Sequence, residues 1–177
     1  MDHNTSVHIN PPISDEERRQ RLYQGDIIVL PATAASIELA VLARRMLAEA
    51  FAPHDPREIH RHWTAEQVAA TLAAVKPAFI HDPACKALIP QIMHEHGVDL
   101  PNLYFDVPRM RSAYPSDFLA SGIAYAFHPH RDTWYSAPPQ QLNWWMPVYP
   151  LHPENAMGFF PRYFHVSVVN SSECFNF

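Results

Sequence analysis

The texture of the chain changes at Pro101, and that change decides what it can fold into. Before Pro101, apolar residues recur at helical spacing between capping signals; after it, short β-rich runs alternate with Pro, Asn and Ser. There is no internal repeat and no linker that would separate two units. The order therefore predicts a single domain over 1–177: a disordered polar tail over 1–12, a mainly helical flank over 14–100 and a β-rich part over 101–177.

Local signals place the helices. Ser14 and Glu17 have S-x-x-E capping-box spacing and predict a short charged helix ending near Gly25. The apolar run Asp26 to Leu30 then reads as a buried strand. Leu39, Leu42, Ala43, Met46, Leu47 and Ala50 form a core-facing helical stripe that Pro53 and Pro56 close. Thr64 and Gln67 repeat the capping logic before Val68, Leu72 and Val75. Asp82-Pro83 starts a further helix toward Gly97, with Pro90 inside it.

The second half supplies five candidate strands: 103–107, 123–128, 142–148, 157–160 and 165–169. They predict an antiparallel sheet following the helices.

Composition narrows the function. The chain is 47% hydrophobic and 18% charged, a globular balance, and its net charge of -5 comes without a basic aromatic stripe, so nucleic acid is not expected as a partner. No apolar run approaches the roughly 18 residues of a membrane span, and the N-terminus lacks signal-peptide features, which predicts a cytoplasmic protein with no membrane partner. Cys85 and Cys174 belong to no CxxC pair and read as reduced thiols. Four unclustered glycines exclude a phosphate loop, and no G-x-S-x-G or Cys-His nucleophile context occurs.

Twelve histidines are the compositional oddity. The informative ones lie in the run from Ile123 to Asp132. In an extended chain Ala124, Ala126 and His128 share one face, which His130 and Asp132 join if the strand continues. An imidazole and a carboxylate two residues apart on one ribbon project together and suit adjacent coordination positions of a metal. The spacing alone is cheap, since roughly 0.6 such pairs arise by chance at this His and Asp content. His94-Glu95-His96 and His60-Arg61-His62 lack H-E-x-x-H spacing and read as solvated surface.

Context gives the pair its meaning. The segment HPHRDTWYSAPPQQLNWWMPVYPLHPENAMGFFPRYF, with the upstream RLYQGDIIVL, resembles the phytanoyl-CoA dioxygenase family of Fe(II)- and 2-oxoglutarate-dependent oxygenases. The resemblance runs from about Arg21 to the C-terminus. It implies an α+β fold with a double-stranded β-helix (jelly-roll, cupin-like) core flanked by N-terminal helices. It also implies that His130 and Asp132 are the first two members of a two-His, one-carboxylate iron triad and hence catalytic. Trp145 corresponds to an aromatic lining the 2-oxoglutarate pocket, and Asn143, on the same side of its strand, is a second candidate for contacting the cosubstrate. The implied reaction is hydroxylation of a small organic substrate, Asp132 disfavouring halogenation.

The same resemblance sets a departure. The family's second His and its 2-oxoglutarate-binding Arg lie on late strands that have no counterpart before Phe177, so the jelly roll is expected to be incomplete at the C-terminus. His165 is a candidate third ligand, although it falls where the family has a surface turn; His152 and His128 read as structural. The alternatives are a truncated noncatalytic remnant or a metal-binding or interaction protein, and a homo-oligomer formed through exposed sheet edges.

Overall fold

A computed structural model of the chain describes residues 5–115, 118–119, 130–135, 137–138, 140–164 and 166–169. Within the expected tail, Val7–Ile9 forms a strand (β1) that pairs in parallel with Ile27–Val29 (β2), Val7 opposite Ile27 and Ile9 opposite Val29. Helix α1, Asp15–Tyr23, makes the crossover between them. The expected buried strand at 26–30 is thus shorter and only half-buried.

A polar bridge clips β1 to β2. Arg21 Nη1 donates to His8 Nδ1 at 3.0 Å, and because a guanidinium can only donate, the imidazole's proton sits on Nε2, 2.7 Å from Asp26 Oδ2. Burial alone would raise the Asp26 carboxyl, but hydrogen bonds from His8 and the Ser6 N–H outweigh it and hold the group below its ordinary value of 3.8. A carboxyl depressed in the folded state contributes stability that is present above the unfolded value and lost as pH falls through the folded one. As pH falls from roughly 5 toward 2, the stability advantage of the wild type over Asp26→Asn should shrink in denaturant titrations, with little change above pH 5. A constant gap across that range would sink the bridge.

Three helices form the core. Helix α2 spans Ala34–Phe51, α3 Ala65–His81 and α4 Pro83–Glu95, and α2 packs on both of the others. The expected caps are present: Ser14 accepts from the Glu17 N–H, Thr64 and Gln67 bond reciprocally, and Asp82 accepts from the N–H groups of Ala84 and Cys85 ahead of Pro83. The start of α2 came from a pair not expected, Thr33 and Ser36, which cap each other. Its first turn has no acid of its own. Glu95 at the end of α4 supplies one, its carboxylate accepting from the Ala35 N–H at 3.2 Å.

Leu39, Leu42, Ala43 and Leu47 of the stripe are buried with Phe51, Val68, Leu72, Val75, Phe79, Leu88 and Ile92. Phe51, Ile59, Val68 and Cys85 are fully enclosed. Fully burying one such apolar side chain contributes roughly 1.5–3 kcal/mol, so this helical cluster carries the fold. Burial also pushes the Cys85 thiol above its usual value.

The second half departs from expectation. No jelly roll forms: among the described residues, strand is confined to β1 and β2. Residues 103–107, 142–148 and 157–160 and the described part of 165–169 run without ladder partners, while 123–128 lies outside the described residues. A strand exists only when another strand takes up its N–H and C=O groups, and β-rich composition cannot supply that partner. The edges expected to invite self-association belong to that unformed sheet.

Instead, side chains fasten the segment around 140–150 onto the helices. Tyr23 donates to the Gln140 carbonyl at 2.8 Å and Arg44 to the Val148 carbonyl at 2.8 Å. The guanidiniums of Arg18 and Arg57 lie over the rings of Trp144 and Tyr149. Met146, Val148 and Tyr149 pack against the core. No helix among the described residues is long and apolar enough to cross a membrane.

Candidate metal centre

The residues singled out by the HRD pattern do converge. Asp132 opens a short 3-10 turn, Asp132–Tyr135, rather than continuing a strand, and the Trp134 N–H closes back on the Arg131 carbonyl at 2.9 Å. The turn leaves His130 Nε2 3.3 Å from Asp132 Oδ1. The imidazole is 25% exposed and the carboxylate 45%, so the pair lies at the surface rather than inside a barrel.

Asn143 reaches the same point from eleven residues away. Its Nδ2 donates to Asp132 Oδ2, and its own Oδ1 accepts from Gln141 Nε2 at 2.7 Å. One carboxylate oxygen of Asp132 thus faces His130 while the other is held by an amide that Gln141 orients. Arg131, the middle residue of the triplet, donates to the carbonyls of Tyr163 and Val166 and pins the later segment beside the turn.

The period-two pattern at 142–148 survives in burial only in part, because Trp144 is 39% exposed where alternation would bury it. Leu142, Met146 and Val148 are half-buried, whereas Asn143, Trp145 and Pro147 are exposed. Trp144 meets Arg18 and the His96 ring. Asn143, which carries the link to Asp132, and Trp145 are both exposed. Trp145 is 49% exposed and lines no enclosed pocket among those described.

The other histidines sort by contact. The His152 N–H donates to Asn155 Oδ1 at 2.7 Å and heads a turn, as a structural residue would. His60 and His96, expected on solvated surface, pack instead against Tyr114 and Phe118 and against Trp144. Burial, then the Arg18 charge, lowers the His96 ring from its usual value. His128 and His165 lie outside the described residues.

The donor set can be tested against a metal. Two arms of about 2.1 Å spread by roughly 90–105° place their donor atoms about 3.0–3.3 Å apart, so the His130–Asp132 separation fits two adjacent positions on a divalent cation. No group of three His, Cys, Asp or Glu side chains that could hold a metal occurs among the described residues. Gln141 and Arg131 were missed from sequence because their partners are set by chain packing rather than by spacing. No family model, curated protein or solved structure matches the chain.

Proposed function

We propose that this chain belongs with the Fe(II)- and 2-oxoglutarate-dependent oxygenases of the phytanoyl-CoA dioxygenase type, and that it hydroxylates a small organic molecule with His130 and Asp132 as protein donors to the iron. The observation that supports the reading most is the 3.3 Å approach of His130 Nε2 to Asp132 Oδ1. Bound at that pair, Fe(II) with 2-oxoglutarate would supply the oxygen activation that no side chain can.

The chain's own residues then have defined tasks. Asp132 brings the negative charge and His130 a nitrogen donor. Asn143, buttressed by Gln141, occupies the second carboxylate oxygen and favours single-oxygen ligation through the first. Trp145, two residues beyond Asn143 and 49% exposed, offers an aromatic surface for the cosubstrate.

A second reading, a cation-binding protein without turnover, is favoured by the surface position of the pair, whose carboxylate is 45% exposed. One experiment separates the two. The chain is dialysed anaerobically against Fe(II), then given 2-oxoglutarate and air, and succinate is quantified by mass spectrometry. Tight Fe(II) binding with succinate release supports the oxygenase, binding without succinate the simple cation protein, and no Fe(II) binding overturns both. Asn143→Ala, which frees the second oxygen of Asp132, should weaken Fe(II) binding about 10- to 100-fold while the helical fold persists. Unchanged affinity would remove Asn143 from the site.

A further inference from the structure

Two clefts are bordered by cations, and they differ in whether those cations already have partners. The larger, about 460 Å3, is bordered by Arg44, His54, Arg57 and Tyr149. Its charges are engaged: Arg44 holds the Val148 carbonyl, and Arg57 is bound through two nitrogens to Asp55. An incoming ligand would have to break those bonds first.

The smaller cleft, about 320 Å3, lies between α3 and the segment 107–111. Lys76 and Ile80, one helical turn apart on α3, face Val107, Met110, Arg109 and Arg111. Arg109 is paired with Asp106 at 2.9 Å. For Lys76 and Arg111 no acidic partner occurs among the described residues, and both border a cleft whose other lining includes Ile80, Val107 and Met110. Burial, and then the Arg111 charge, pushes the Lys76 ammonium below its usual value, the behaviour of a cation left without a counter-charge.

An arrangement of this kind is relieved by an anion that also brings apolar surface. The head neutralises two like charges, and the tail covers Ile80, Val107 and Met110. We infer that the cleft between α3 and residues 107–111 binds a small amphipathic anion, an alkyl carboxylate whose head lies between Lys76 and Arg111. The volume sits at the lower end of the range for small-ligand sites, about 300–1,000 Å3, which matches a medium-length chain. This site is independent of any metal at His130.

The chain has two lysines, Lys76 and the exposed Lys86, which makes amine labelling a direct reading of the cleft. The full chain is acetylated briefly at neutral pH with octanoate, octanol or inorganic phosphate, and each lysine is followed by peptide mass spectrometry. Octanoate at ten times its half-saturating concentration should slow labelling of Lys76 about tenfold, since protection grows as one plus ligand over Kd. Lys86 should be unaffected, octanol and phosphate should protect far less, and Arg111→Ala, an exposed position, should lose the octanoate effect. Equal protection by octanol or by phosphate, protection of both lysines together, full protection in Arg111→Ala, or no protection by octanoate would each overturn the assignment.

Discussion

Replacing Phe51 with alanine should cost about 3–5 kcal/mol of stability and lower the Tm by on the order of 10 °C. Phe51 is the last residue of α2, fully enclosed, with its ring centroid 5.5 Å from that of Trp63. Deleting the ring leaves a cavity where the end of α2 meets the start of α3, and two rigid helices cannot close over it. Phe51→Leu, which keeps most of the volume, should recover the larger share. The matched control is Phe105→Ala: Phe105 is 54% exposed and should tolerate truncation within about 0.5 kcal/mol. Thermal unfolding followed by circular dichroism reads both. If Phe105→Ala costs as much as Phe51→Ala, residues 103–107 are core strand after all, and the correction to the jelly-roll expectation fails with it.

That comparison marks the line between what the sequence could and could not convey. Helices are written locally, because each bond joins a residue to one four positions away and each end needs a nearby acceptor. Ser14, Thr64 with Gln67, and Asp82-Pro83 were therefore legible, and even Pro90 did not hide α4. Thr33 and Ser36 cap α2 by the same logic with a serine in place of the usual Glu or Gln, so the start of that helix was not anticipated. Strands are not local in this sense. The run 142–148 kept its alternation only from Trp145 onward, Trp144 being exposed as well, and its backbone found no ladder.

The candidate site divides along the same line. His130 and Asp132 are two residues apart, so their approach needed only a turn, and even the wrong local conformation, a strand in place of the 3-10 turn at 132, brought them together. Asn143 was named because it shared a strand face with Trp145, yet the contact it makes is to Asp132, across a loop that no periodicity encodes. The facing of Lys76 and Arg111 is harder still to foresee, since it depends on where a segment without regular structure comes to rest on α3.

Arg18 shows how much such a distant contact can carry. It lies in the polar helix α1, whose sequence DEERRQRLY gives no hint of burial, yet it is 5% exposed. Its guanidinium bonds Asp15 in its own helix, donates to the His96 carbonyl at the end of α4 at 2.6 Å, and lies 5.6 Å from the centre of the Trp144 ring. One planar group thus joins α1, α4 and the segment that leads to Asn143. A cation at a helix C-terminus is favoured by the dipole, and a guanidinium, with its flat fork of donors, can bond at its edges while stacking on a ring. Arg18→Ala should therefore cost about 1–3 kcal/mol, because it leaves a part-buried carbonyl without its donor and leaves Asp15 with Arg19 alone. Arg18→Lys should recover only part, since an ammonium satisfies either Asp15 or His96 and cannot stack as a plane. Shielding also predicts that the loss persists in about 1 M salt, where an exposed pair such as Arg19 with Glu16 would contribute nothing measurable. The deciding measurement is a double-mutant cycle of Arg18→Ala with Trp144→Ala in denaturant unfolding. A coupling of about 0.5–2 kcal/mol is expected if the helical half and the 140–150 segment fold as one unit. Strict additivity would mean that the segment bearing Asn143 and Trp145 does not rest on the helices, and the positioning of Asn143 against Asp132 would lose its physical support.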